Sequence, residues 1–235
     1  MSGSDTSRIN KYIASSGLCS RREADKLIEE GRVTVNGIVA ESGMQVSDED
    51  TVLVDGKNII PEDKSIYIAF NKPLGVTCTT DSRDPSNIID YIGYSERIFP
   101  IGRLDKNSTG LILLTNDGSI VNTLLRAENN HEKEYQVTLD RPYNDKFIKE
   151  MESGVPVLGQ MTLPCKITRV SSRVFKIILH QGLNRQIRRM CEYEGYKVVK
   201  LRRIRFMNIN LGTLGTGQWR YLTAKEINEL KNPSK

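Results

Sequence analysis

Apolar residues recur along this chain with two periods, and the switches between them mark helical and extended segments. Ile9, Tyr12 and Ile13 recur at helical spacing and predict a short helix from Arg8 to Ser16, capped by Ser7 and ended by Gly17. Ala24, Leu27 and Ile28 predict a second helix, for which Ser20 and Glu23 form a capping box and Gly31 a stop. Short apolar segments then flank Asn36-Gly37 and Asp55-Gly56, predicting two hairpins: Val33–Val35 with Ile38–Ala40, and Thr51–Val54 with Asn58–Ile60. Two helices followed by short strands form a small α+β module.

Pro61–Ser65, PEDKS, is polar and reads as a linker, so the expected modules are residues 1–62 and 63–235. Ile66–Phe70 is continuously apolar, as a buried strand is, and must turn at Asn71-Lys72-Pro73 and Gly75. Thr79–Ser86 is loop-like, and Ile88, Ile89 and Ile92 suggest a short helix. In FPIGRLDKNSTGLILLTNDG, Phe99 to Gly118, an apolar strand Leu111–Leu114 is closed by the turn Asn116-Asp117-Gly118. A helix over Ile120–Leu125 is followed by a strand with Tyr135, Val137 and Leu139 on one face. Asn144 caps a helix through Met151 whose stripe is Phe147, Ile148 and Met151, and Val174–Leu179 is a further strand. Asn184 is placed to cap a helix carrying Ile187, Met190 and Cys191. KVVKLRRIRFMNINL reads as a strand with one charged side, either an RNA-facing strand or a solvated edge. Gly215, Gly217 and Trp219-Arg220 predict a turn before a last helix capped by Thr223 and Glu226. There is no internal repeat, and only the ends look disordered.

Composition narrows the class. A chain of 235 residues with 38% hydrophobic content can bury a core, and no apolar run approaches the roughly 18 residues of a membrane helix. MSGSDTSR lacks an apolar signal core, which points to the cytoplasm. Cys19, Cys78, Cys165 and Cys191 form no CxxC and His131 and His180 complete no metal spacing, so reduced structural thiols and no metal are expected. The net charge of +5 suits a polyanionic partner. Arg8, Lys11, Arg21, Arg22, Lys26 and Arg32 line the first module, interleaved with Glu23, Asp25, Glu29 and Glu30, so a phosphate-binding surface and a solvated helix face are both open readings. Arg103 and Asp105 share a face while Leu104 points away, which suits a loop salt bridge or a presented nucleophile. Arg185, Arg188 and Arg189 crowd a helix start, against the helix dipole, as a functional demand for positive charge would require.

GRLDKNSTGLILLTNDG resembles the catalytic motif of the pseudouridine synthases of the RsuA/RluB/RluE/RluF branch, and RINKYIASSGLCSRREADKLIEEGRVTVNG resembles an S4 RNA-binding domain. NKPLG, KEYQV, GLNRQIRRM and GQWRYLT match the same family in order, so the resemblance covers nearly the whole chain. It implies an α+β fold: a small N-terminal S4 domain of αL type, then a catalytic domain built on a mostly antiparallel mixed sheet flanked by helices. The implied reaction isomerises a specific uridine in structured RNA to pseudouridine after base flipping, with no cofactor and no metal. Asp105 would act as nucleophile or as the base that starts elimination at the sugar. Arg188 would pair with it, and Tyr135 would stack on the uracil and help take the C5 proton. Arg103 would enter the RNA where the base has left. Arg185 and Arg189, and in the S4 domain Arg8, Lys11, Arg21, Arg22 and Lys26, would contact RNA. The wording of GLNRQIRRMCEYEGY and IRFMNINLGTLGTGQWR implies a large-subunit ribosomal RNA uridine, with small-subunit RNA or a tRNA anticodon loop as alternatives. The implied protein is a monomer with no membrane association and no obligate protein partner. A non-catalytic ribosome-assembly factor would have lost the motif aspartate, and Asp105 is present; a metal-dependent nuclease would need a carboxylate cluster.

Overall fold

The computed structural model describes residues 6–62, 64–125 and 131–232. The ends expected to be disordered, residues 1–5 and 233–235, lie outside the described residues, as does Asp63 of the expected linker. The chain forms two compact units. One takes residues up to Ser65 with Ser95–Arg97 and Asn116–Gly118; the other takes Ile66–Tyr94, Ile98–Thr115 and the chain from Ser119 on.

In the first unit, β1 (Ser7–Arg8) leads into α1 (Ile9–Ser15) and α2 (Arg21–Glu29). Ser7 is not the cap of α1: it pairs with Val46 in β4 (Gln45–Val46), and Arg8 at the cap position makes no side-chain cap bond. The Ile9 amide instead donates to the Met44 carbonyl at 2.9 Å, so a tertiary backbone contact satisfies a first-turn donor. The capping box of α2 forms in both directions, with Glu23 N to Ser20 Oγ at 3.2 Å and Ser20 N to Glu23 Oε2 at 2.7 Å. The hairpins β2 (Val33–Val35) with β3 (Ile38–Val39) and β5 (Val52–Val54) with β6 (Lys57–Asn58) turn where Asn36 and Asp55 take φ of 51° and 49°, each followed by a left-handed glycine. β2 also pairs with β5, giving the order β3-β2-β5-β6 over a core that includes Ile9, Ile13, Ile28, Val33 and Val52.

The second unit is built on a sheet of nine described strands. In chain order its elements are β7 (Tyr67–Lys72), α3 (Ile88–Ile92), β8 (Phe99–Ile101), β9 (Thr109–Thr115), α4 (Gly118–Leu125), β10 (Lys133–Leu139) and α5 (Asp145–Ser153). There follow the small hairpin β11 (Pro156–Val157) with β12 (Gln160–Met161), then β13 (Lys166–Arg169), β14 (Val174–Leu179), α6 (Gln186–Tyr193), β15 (Val198–Phe206), β16 (Ile209–Asn210), β17 (Trp219–Tyr221) and α7 (Ala224–Lys231). The sheet order is β13-β14-β10-β15-β9-β7-β17, with β16 on β15 and β8 on β9. Among the described strand pairs of this sheet only β9 with β15 is parallel, so the sheet is mixed and mostly antiparallel. Every residue of β7 is buried; the apolar run ends at Phe70, and the strand continues through Asn71 and Lys72, which pair with Leu111 and Gly110 instead of beginning the expected turn. Trp219 and Arg220 do not form the expected turn: their backbone pairs with Phe70 and Ala69 and completes the sheet edge. The charged strand β15 is not an edge either, since it lies between β10 and β9.

Candidate active site

β9 and β15 meet where Gly110 opposes Arg203, and this contact dictates the glycine. Gly110 has φ +102°, and a Cβ there would come within 2.2 Å of the Arg203 carbonyl oxygen. The loop before β9 is fixed at three points: Leu104 N donates to Cys78 Sγ at 3.4 Å, Gly75 N to the Lys106 carbonyl at 3.0 Å, and Ser108 N to the Asp105 carbonyl at 2.9 Å. Leu104 is buried, which leaves Asp105 turned toward a cleft of about 450 Å³.

That cleft is lined by Asp105, Arg103, Tyr135 and Arg185, together with Ser108, Lys133, His180 and Arg203. Tyr135 stands half-buried on β10 beside a register shift at Glu134/Tyr135, where two hydrophobic clusters meet. A bulge of this kind re-aims a side chain out of the regular pleat. Arg103 is exposed and, among the described residues, has no ion-pair partner.

The carboxylate's ion pair differs from expectation. Arg185 Nη1 lies 4.0 Å from Asp105 Oδ2, whereas Arg188 is buried and donates to the carbonyls of Asn107 at 2.7 Å and Val198 at 3.1 Å. Arg188 thus ties α6 to the Asp105 loop and to β15, within electrostatic reach of the carboxylate. Burial, and next Arg185, pull its pKa down while Asp105 pushes it up. Nor does Asn184 cap α6. Arg185 holds the cap position in the left-handed region, φ 52°, and Asn184 accepts hydrogen bonds from Arg189 through its carbonyl at 3.0 Å and its side chain at 3.4 Å. The twist at Arg185 turns its guanidinium out of the helix and toward Asp105. Arg188 and Arg189 do not line the cleft.

Sequence reasoning passed over three cations nearby, Lys72 and Arg203 buried and Lys133 half-buried. Lys72 is fully buried and donates to the carbonyls of Pro73 at 2.9 Å and Val76 at 2.8 Å; burial lowers its pKa against the opposing influence of Cys78 and Asp105. Lys133 donates to the His131 carbonyl at 3.1 Å, and burial, then Arg203, lower its pKa. Arg203 donates from Nε to the Leu111 carbonyl at 2.6 Å. The available signal was period-two alternation and continuity: Arg203 shares the face of the buried Leu201 on β15 whereas its neighbour Arg202 does not, and Lys72 prolongs the buried run that starts at Ile66. The four thiols are unpaired, and burial holds the Cys165 thiol up at about 12.

In the other unit Arg8, Lys11, Arg21, Arg22 and Lys26 are all exposed, and among the described residues none makes an ion pair. The interleaved acids are partly occupied: Glu23 in the capping box, Asp25 by Asn10 at 2.8 Å, and Glu30 by Arg32. Arg32 is itself locked between Asp55 at 2.6 Å and Glu30 at 3.0 Å, so it is not one of the free cations.

The comparisons agree with this architecture. Residues 66–193 match the family described as RNA pseudouridylate synthase, and residues 7–52 match the S4 domain. A dual-specificity RNA pseudouridine synthase RluF of Salmonella typhi is 55% identical over 229 residues, covering 96% of this chain and 79% of its own length. The ribosomal large subunit pseudouridine synthase B of Bacillus subtilis strain 168 is 35% identical, covering 95% of each chain. A crystal structure of a pseudouridylate synthase superposes with a TM-score of 0.69 at 29% identity, covering 95% of this chain and 99% of that one. Fold, cleft and matches define an RNA-modifying enzyme with an S4 module. The chain belongs to the RNA pseudouridine synthase family, whose reaction breaks the bond from C1′ to N1 of a uridine and rejoins the base through C5.

Proposed function

We propose that this enzyme acts on a large-subunit ribosomal RNA uridine, with a second RNA class within its range. The printed names of the relatives support this, one a dual-specificity RNA enzyme and another a large-subunit enzyme. The observation that carries the catalytic part is the half-buried Asp105, 4.0 Å from Arg185 in a cleft shared with Tyr135. Asp105 is the carboxylate that attacks C1′ or starts elimination. Ionised, it is supported by Arg185 across the cleft and by Arg188 from beneath. Tyr135 stacks on the uracil. Arg103, planar and without an ion-pair partner among the described residues, fills the vacancy left when the base is extracted, an extraction that costs a few kcal/mol. Arg185 is both the carboxylate's partner and a phosphate contact, and Arg189 contacts RNA from the rim. Arg8, Lys11, Arg21, Arg22 and Lys26 bind phosphates of the same RNA.

The reading also makes the enzyme a cytoplasmic monomer. No described helix is long and apolar enough to cross a membrane, and the unpaired thiols suit a reducing compartment. The test is a pseudouridine map of ribosomal and transfer RNA from cells with and without the gene. Loss of a large-subunit site is expected; maps that differ only in small-subunit RNA, or not at all, overturn the assignment.

A further inference from the structure

The half of the sheet formed by β13, β14, β10 and β15 has two unlike faces. One carries Ile167, Phe175, Ile177, Val137, Leu139 and Leu201 into the core beneath α5 and α6. On the other, alternation places the remaining side chains, and the register sets them in rows. Arg202 opposes Gln136, Gln136 opposes Lys176, and Lys176 opposes Thr168. In the row on one side of it Lys200 opposes Thr138, and in the row on the other side Glu134 opposes Ile178, which opposes Lys166 on the edge strand β13.

Three features set this face apart from an ordinary solvated surface. Its carboxylate, Glu134, is already held by Arg205 at 2.9 Å, and among the described residues Lys166, Lys176, Lys200 and Arg202 make no ion pair. Adjacent strands lie about 4.8 Å apart, so Arg202 and Lys176 stand about 10 Å apart across a neutral glutamine, where an acidic residue would have stabilised both. Lastly, β14 and β15 are interior strands, so Lys176, Lys200 and Arg202 are not the cations that protect exposed sheet edges. An array of cations interspersed with amide and hydroxyl donors suits a chain of phosphates.

We propose that this open sheet face is a second RNA-binding surface, holding the backbone of a substrate segment separate from the one that carries the target uridine. The inference rests on the RNA-modifying role of the enzyme. The cleft contains Arg203 and Leu201, whereas Arg202 and Lys200 point from the same strand to the opposite side of the sheet. The face contacts phosphates rather than bases, so it adds affinity for long RNA without choosing the uridine.

The experiment compares Lys176→Ala/Arg202→Ala with wild type on two probes, an in vitro transcript of large-subunit ribosomal RNA and a short hairpin cut from it around the modified uridine. On the transcript, the slope of log affinity against log salt should fall by about two units, since each phosphate contact contributes roughly 0.9. On the hairpin, affinity and kcat/KM should stay at wild-type values. The charge-keeping Lys176→Arg/Arg202→Lys pair should restore the transcript slope. Lys166→Ala/Lys200→Ala supplies an independent pair if the first does not fold. An unchanged slope on the transcript overturns the proposal, as does an equal loss on the hairpin, which would trace the effect to the cleft. Loss of an acidic protein partner with RNA binding intact also overturns it. Wild-type turnover on the transcript reads the proposed substrate, so the two readings fail separately.

Discussion

Gly110→Ala should damage stability and catalysis together, by an amount that the β9–β15 contact sets. At φ +102° an added Cβ costs about 1–3 kcal/mol in backbone strain alone. It would also stand 2.2 Å from the Arg203 carbonyl oxygen and 2.8 Å from the Arg203 amide nitrogen, both backbone atoms that cannot rotate away. The only relief is separation of β9 from β15 at their parallel register, so the total should reach at least about 3 kcal/mol, among the larger single-substitution effects. At about 2–4 °C per kcal/mol for a chain of this size, Tm should fall by roughly 6–12 °C. Gly159→Ala is the control. Its φ is +78° but nothing lies within 4 Å of the added carbon, so strain acts there without the clash. The single tryptophan, Trp219, lies in the same unit as both glycines and reports that unit's unfolding by fluorescence. Pseudouridine formation should fall too, because Asp105 lies five residues before Gly110 on the same loop and strand. A Gly110→Ala protein no less stable than Gly159→Ala would refute the reasoning.

Asp105→Asn should abolish pseudouridine formation while RNA affinity stays near wild type; appreciable turnover in a tritium-release assay would remove the carboxylate from the reaction. Tyr135→Phe keeps the ring and loses the hydroxyl, so near-normal single-turnover rates are expected if stacking is its whole role, and a drop of tenfold or more assigns it the C5 proton. Glu194 is raised from the ordinary 4.5 to about 7 by burial and by its hydrogen bond and charge contact with Glu150. The folded protein therefore holds a proton that the unfolded chain releases above about 4.5, so this group's effect on stability worsens as pH rises from about 4.5 to 7. Glu194→Gln should raise Tm at pH 8 and leave it nearly unchanged at pH 4; equal shifts at both would show that the ionisation is not the cause.

How much was legible depended on the distance over which each feature is decided. The capping boxes at Ser20/Glu23 and Thr223/Glu226 and the tight turns at Asn36-Gly37 and Asp55-Gly56 are local, and the structure has each where the residues put it. Ser7 and Asn184 carry the chemistry of caps but serve otherwise, because partners distant in sequence or twists in the loop claim their backbone first: Val46 for Ser7, the left-handed Arg185 for Asn184. The Trp219-Arg220 segment carries turn-forming glycines before it, yet the unpaired edge of β7 draws it into the sheet.

The motif wording by itself determined the family, the reaction and the presence of one candidate carboxylate with an arginine two residues before it, because these follow from which side chains are present. Only the tertiary structure decided which arginine meets Asp105. Arg185 and Arg188 are three residues apart on one short segment, and their assignments turn on a left-handed residue at the helix start and on two carbonyls, Asn107 and Val198, that come from other strands and loops. A buried guanidinium must find acceptors wherever the fold supplies them. The fold supplies those acceptors beneath the cleft for Arg188 and leaves Arg185 to face the carboxylate.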